Sequence, residues 1–170
     1  MKIHRVQKGL EETCCFTGHR IMQMPERKAW EKLSDRIWEA VRSGYNHFIV
    51  GGAIGFDMMA AEQILMMKDG GNILPIPITL EIAIPCKDHT KKWSKRDKCR
   101  LARILEDADV VTHISDEDYK PGCMQKRNQY MVLKSALVIA YYERDATGGT
   151  KYTLEQAEKW KRTIWNIADE

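Results

Sequence analysis

The sequence predicts an α/β domain: a mostly parallel sheet of about five strands flanked by helices in three layers. Three observations lead there. Short apolar runs alternate with longer stretches of helical spacing. Two strand-to-helix joins carry paired glycines, Gly51-Gly52 and Gly148-Gly149. No repeat, low-complexity tract or linker composition interrupts the 170 residues, so 1–170 reads as one domain of a size that buries a core.

Residues 13–17 form a short apolar run stopped by Gly18, the first strand. Pro25 opens a helix in which Trp30, Leu33, Ile37 and Val41 recur at helical spacing, and Gly44 closes it. His47-Phe48-Ile49-Val50 gives the second strand, followed by the glycine turn and a helix to about Lys68. Asp69-Gly70-Gly71-Asn72 breaks the chain. Residues 76–85 predict the third strand, 88–106 a helix, 109–114 the fourth strand and 124–134 a short helix. Residues 136–142 give the clearest buried strand, and Gly148-Gly149-Thr150 opens a last helix to about Ala168. Strands alternating with helices imply parallel pairing and right-handed crossovers. Ligands of such sheets collect beyond the carboxyl ends of the strands, so the loops after the first, second and last strands are expected to meet at one pocket.

The bulk composition is 44% hydrophobic and 30% charged, that of a globular chain rather than a disordered one. A net charge of +3 makes no global demand for a nucleic-acid or membrane partner. No apolar run approaches membrane-spanning length, and residues 1–5 lack the apolar stretch of a leader. Cys14, Cys15, Cys86, Cys99 and Cys123 contain no Cys-x-x-Cys pair; reduced thiols and a cytoplasmic location are expected. The five histidines show no metal-ligand spacing, so neither a metal nor a cofactor is expected.

Three loops carry candidate ligand chemistry. In Thr17-Gly18-His19-Arg20 a hydroxyl, a glycine, an imidazole and a guanidinium sit where a ligand belongs, and the planar arginine fork suits phosphate. The alternative is a solvated turn with a surface arginine. Gly51-Gly52-Ala53-Ile54-Gly55-Phe56-Asp57 is a glycine turn that aims free amides at an anion. Asp57 either caps the helix or accepts hydrogen bonds from a ribose or base, since a carboxylate repels phosphate. Gly148-Gly149-Thr150 repeats the geometry at the last helix, or else is a flexible surface turn. Arg127-Asn128 would reach the pocket mouth or else form a plain surface pair, and Trp93 would stack on a base or else fill core. The basic series Lys87, Lys91, Lys92, Lys95, Arg96, Lys98, Arg100 and Arg103 reads as a solvated helix surface that would extend a phosphate or nucleic-acid contact on one side.

Together, Thr17-Gly18-His19-Arg20, Gly51-Gly52-Ala53-x-Gly55-x-Asp57 followed by Ala60-Ala61-Glu62, Arg127-Asn128 and Gly148-Gly149-Thr150 resemble the SLOG superfamily, and within it the YpsA/YoqJ-like branch. This Rossmann-like group joins the DNA-processing protein A proteins to the lonely-guy phosphoribohydrolases. The resemblance runs from near residue 13 to about residue 160. It implies a nucleotide-derived ligand beneath the glycine loops, and members of this branch look like sensors or binders. It also implies self-association through helices beside the sheet. The Pro-Gly-Gly-x-Gly-Thr-x-x-Glu signature of lonely-guy enzymes is not reproduced by Thr147-Gly148-Gly149-Thr150-Lys151-Tyr152.

Three functional readings follow. The first is a module that senses or sequesters a nucleotide-like small molecule, such as an ADP-ribose-like or cyclic signal. The second is a nucleoside-monophosphate glycosidase, with Asp57, Glu62 or Glu155 assisting departure of the base. The third is a single-stranded nucleic-acid binder using the basic helix face. No activity follows from these residues alone.

Overall fold

The computed structural model describes residues 9–71 and 73–169; residues 1–5, weighed above for a leader, and Asn72 of the breaker lie outside the described residues. Six parallel strands form one sheet in the order β4-β3-β2-β1-β5-β6. They are β1 (Thr13–Gly18), β2 (His47–Val50), β3 (Thr79–Ile84), β4 (Val110–His113), β5 (Leu137–Tyr141) and β6 (Thr163–Asn166). The helices are α1 (Glu26–Arg42), α2 (Phe56–Asp69), α3 (Lys95–Asp107), α4 (Cys123–Lys134) and α5 (Gly149–Lys159).

Period-two alternation sorts side chains onto two faces. Cys14 and Phe16 of β1, with Leu137 and Ile139 of β5, join a core built with α1, α2 and α3. Cys15, Val138 and Ile49 face the other way, onto Met131 and Val132 of α4 and Ala157 of α5. Both faces of the central strands are therefore covered, which is why those strands read as continuous apolar runs. The helices that follow β1, β2 and β3 pack on one face and those preceding and following β5 on the other, the arrangement that right-handed crossovers impose.

The chain winds outward from β1 through β2 and β3 to β4, then returns to place β5 against the free side of β1. Cys14 accordingly pairs with Phe48 on one side and Leu137 on the other. The point where strand order reverses lies between β1 and β5.

Three elements differ from the sequence reading by more than a residue at one end. The helix expected from residue 88 starts at Lys95, where the Ser94 side chain accepts from the Asp97 amide at 3.1 Å and acts as N-cap. The third strand is shorter than 76–85. The last helix ends at Lys159, because Lys161 adopts φ 54, and the chain re-enters the sheet as the sixth strand.

One buried acid is accounted for by packing alone. Glu81 of β3 accepts from Thr112 Oγ1 and Tyr130 Oη, each at 2.7 Å, and its other oxygen lies 2.8 Å from His47 Nε2. Burial opposes its charge, yet these bonds hold the carboxyl below the ordinary range. Among the described residues no helix is long and apolar enough to cross a membrane.

Candidate ligand cleft at the switch point

A cleft of about 550 Å³ opens at the carboxyl ends of β1 and β5. Thr17, Gly18, His19 and Arg20 contribute from the loop after β1, Ala53 and Asp57 from the turn after β2, and Thr147, Gly149 and Thr150 from the loop after β5. Arg127 and Asn128 of α4 close its floor. Three loops and a helix distant in sequence thus face one space.

The β1 loop is fastened to the end of β5. His19 Nε2 accepts from the Glu143 amide at 3.1 Å, and its ring packs against those of Tyr141 and Tyr142 at 5.9 and 5.7 Å. The Glu143 carboxylate accepts from the Gln23 amide at 2.8 Å and from Tyr141 Oη at 2.6 Å, while Tyr141 Oη accepts from the Met24 amide at 3.0 Å. The Tyr141 bond holds the Glu143 carboxyl below its usual range. Arg20, on the loop so held, is exposed and lines the cleft, and its guanidinium bonds to no described residue. A charged fork on a fixed loop is pre-organised for an anion.

The turn after β2 works differently. Gly55 takes φ 91, and a Cβ there would stand 2.7 Å from the carbonyl carbon of Arg20. The same turn is tied to the β1 loop where the Phe56 amide donates to the His19 carbonyl at 3.2 Å. Gly51 separates two buried charges: a Cβ on it would lie 2.6 Å from Arg127 Nη1 and 2.8 Å from Asp57 Oδ2. The bare backbone lets both side chains converge.

Asp57 is 5% exposed, and its Oδ2 accepts from the Ala53 amide at 3.3 Å. Burial pushes its carboxyl up to about 6, against the pull of Arg127, the Ala53 bond and Arg20. Arg127 is 6% exposed; its Nε donates to Asn128 Oδ1 at 2.6 Å and its Nη1 donates to the Gly51 carbonyl. Burial lowers its affinity for its proton, but guanidinium stays charged at any physiological pH. Asn128 Nδ2 in turn reaches the Gly149 carbonyl at 3.5 Å, a long contact that links α4 to the start of α5.

The first turns of α4 and α5 line the cleft through Gly122, Met124, Gln125, Gly149 and Thr150. First-turn amides have no intrahelical partner, and helix N-termini carry partial positive charge. With Arg20 and Arg127 added, Asp57 is the one acidic side chain among the described lining residues. The cleft favours an anion.

Several sequence candidates fall elsewhere. Gly51, Gly52, Gly55 and Gly148 shape the turns without lining the cleft. Trp93 is not brought to it: the indole meets the His89 ring edge-on at 5.5 Å and packs against the core. Glu62 faces a groove between α2 and α3, where it accepts from Arg100 Nε and Nη2 at 2.6 and 2.7 Å. Glu155 is exposed on α5 and is absent from the lining. Of the three acids considered for base departure, Asp57 alone reaches the cleft. The structure adds Tyr119, Pro121, Met124, Gln125 and Met131. Pro121-Gly122 ahead of a helix was the available sign, since Gly122 at φ 90 starts α4 as the other glycine turns start α2 and α5.

The YpsA model, described as the YspA SLOG family, matches residues 14–167. The UPF0398 protein BH1768 of Halalkalibacterium halodurans is 28% identical over 134 residues, covering 78% of this chain and 67% of that protein. The SPbeta prophage-derived protein YoqJ of Bacillus subtilis is 30% identical over 145 residues, covering 75% of this chain and 81% of YoqJ. Among solved structures, DNA processing protein A from Helicobacter pylori, described for its single-stranded DNA binding mode, superposes with TM-score 0.62 at 18% identity over 91% of this chain. That from Streptococcus pneumoniae gives TM-score 0.64 at 16% identity over the same share. This chain spans 64% and 49% of those two proteins, so the likeness is one of fold. Matched along nearly its whole length, the chain belongs to the YpsA branch of the SLOG family.

Proposed function

We propose that the switch-point cleft binds a phosphate-bearing, nucleotide-derived small molecule and that the protein senses or sequesters it. One observation carries this reading: the first turns of α4 and α5 and the Arg20 guanidinium, without a partner among the described residues, face a single cleft of nucleotide size. In this arrangement Arg20 and the first-turn amides hold phosphate, and Asp57 accepts from a sugar hydroxyl. Tyr119, 57% exposed at the cleft, takes the base-stacking part for which Trp93 was one candidate. Action in the cytoplasm and self-association belong to the same proposal.

Protein purified under native conditions, denatured and extracted, tests it by mass spectrometry of the released small molecules. A phosphorylated nucleoside at near-stoichiometric amount is the expected result. An empty extract, together with no retention of any member of a nucleotide panel, would remove the reading.

The raised Asp57 carboxyl supports a second reading, a glycosidase in which Asp57 gives its proton to the departing base. Free base released from the same panel, and lost in Asp57→Asn, would establish it; intact nucleotide would exclude it. The neighbouring DNA-processing fold supports single-strand binding as a third. Its mark is an affinity that falls steeply with salt.

A further inference from the structure

Cys86 and Cys123 stand 37 residues apart in sequence, yet Cys123 Sγ donates to Cys86 Sγ at 3.5 Å, and both are buried, at 0% and 7% exposure. Cys86 follows the end of β3, and Cys123 is the first residue of α4. Their two segments are already stitched together. The Lys87 amide donates to the Glu117 carbonyl at 2.9 Å and the Tyr119 amide to Asp88 Oδ1 at 2.6 Å. A sulfur–sulfur bond of ~2.0 Å would therefore need side-chain rotation and a small approach between segments that are already in contact.

We propose that Cys86 and Cys123 form a reversible disulfide when the protein meets a hydroperoxide, making the base of α4 an oxidation site. This goes beyond the nucleotide reading and stands whatever occupies the cleft.

The two thiols are inequivalent, which orders the reaction. Cys123 retains some exposure and is flanked by the cleft-lining Gly122 and Met124; one turn along α4 lies the Arg127 guanidinium. The Cys123 sulfur stands at the N-terminal end of α4. Cys86 is fully enclosed, and burial, together with the Cys123 contact, pushes its thiol up to about 11. Cys123 sulfur attacks the peroxide oxygen: an S–O bond forms, the O–O bond breaks, and the departing oxygen leaves as water or alcohol with the thiol proton. Cys86 sulfur then attacks Cys123 sulfur. The S–S bond forms, the S–O bond breaks, and hydroxide leaves with the Cys86 proton as a second water. The sulfur pair loses two electrons and the peroxide accepts them.

The exposed thiol of Cys99 would confuse the result, so the test uses the folded Cys99→Ser chain. Hydrogen peroxide is added at one equivalent, followed by thiol counting in denaturant, intact mass and non-reducing peptide mapping. The expected result is loss of two of the four remaining thiols, a mass lower by two hydrogens, and one peptide joining positions 86 and 123, all reversed by dithiothreitol. Four surviving thiols, oxygen added without a cross-link, or a bridge involving Cys14 or Cys15 would overturn it. Adding Cys86→Ser should leave Cys123 as a sulfenic acid trapped by dimedone. Should that variant not fold, the mapping of the Cys99→Ser chain decides alone.

Discussion

Two glycine-rich turns start helices in this sheet, and they are put to opposite uses. The turn into α2 is sealed. Gly51 and Gly52 are buried, the Phe56 amide is taken by His19, and Asp57 is enclosed beside Arg127. The turn into α5 is open: Gly148 and Gly149 are exposed, and no atom of the described residues lies within 4 Å of a Cβ built on Gly148. The same local chemistry therefore serves as a largely buried joint in one place, with only Ala53 and Asp57 reaching the cleft, and as an exposed rim of that cleft in the other. What separates them is position. The α2 turn lies beneath the β1 loop and α4, whereas the α5 turn lies at the rim.

Substitution at the two turns gives the sharpest contrast. Gly55→Ala must hold φ 91 while driving a methyl group into the Arg20 carbonyl, and should cost about 3–5 kcal/mol in chemical denaturation. A loss under about 1 kcal/mol would mean the joint is slack.

The enclosed acid supplies a pH test. Its folded carboxyl sits at about 6 against 3.8 in a free chain, so the protonated form is the one folding favours. Stability from this group is complete below pH 3.8 and is lost as pH rises through about 6, a difference on the order of 3 kcal/mol. Asp57→Asn should remove that dependence. The variant should be the more stable chain at pH 7 and approach the wild type near pH 4, as followed by urea midpoints across the range. Parallel curves for the two proteins would show that the carboxyl is not destabilised by its enclosure.

At the open side, Arg20→Ala should weaken nucleotide retention by about 1.5–3 kcal/mol in a calorimetric titration, with stability changed by less than about 0.5 kcal/mol. Equal affinity would make Arg20 ordinary surface. Gly148→Ala gives the smaller effect of the two glycines: it meets no neighbour among the described residues, so only its backbone at φ 105 and ψ −155 costs, about 1–3 kcal/mol. A penalty matching that of Gly55→Ala would abolish the distinction between the turns.

How far the sequence discloses this architecture depends on the range of the interactions. The glycine turns at the helix starts and the apolar run of residues 136–142, whose strand spans Leu137–Tyr141, are local signals, and both elements form where local reasoning placed them. Residues 160–165 continue a helical pattern without glycine or proline, so the turn at Lys161 and the strand β6 were not legible. The convergence of Asp57 with Arg127 depends on the pairing of distant segments around Gly51, which spacing along the chain does not encode. Glu62, one of three acids weighed for base departure, lies away from the cleft for the same reason: its partner Arg100 is 38 residues away, on α3. The acidic segment before Pro121 concealed Tyr119 at the cleft, while the more conspicuous Trp93 packs against His89.

The two border strands, β4 and β6, are four residues long apiece. Each presents so few unsatisfied amides and carbonyls that another chain gains little by annealing along it. Growth of the sheet from molecule to molecule is thereby discouraged at both margins. Copies that associate would do so through helical surfaces, leaving the ladder of each subunit closed upon itself.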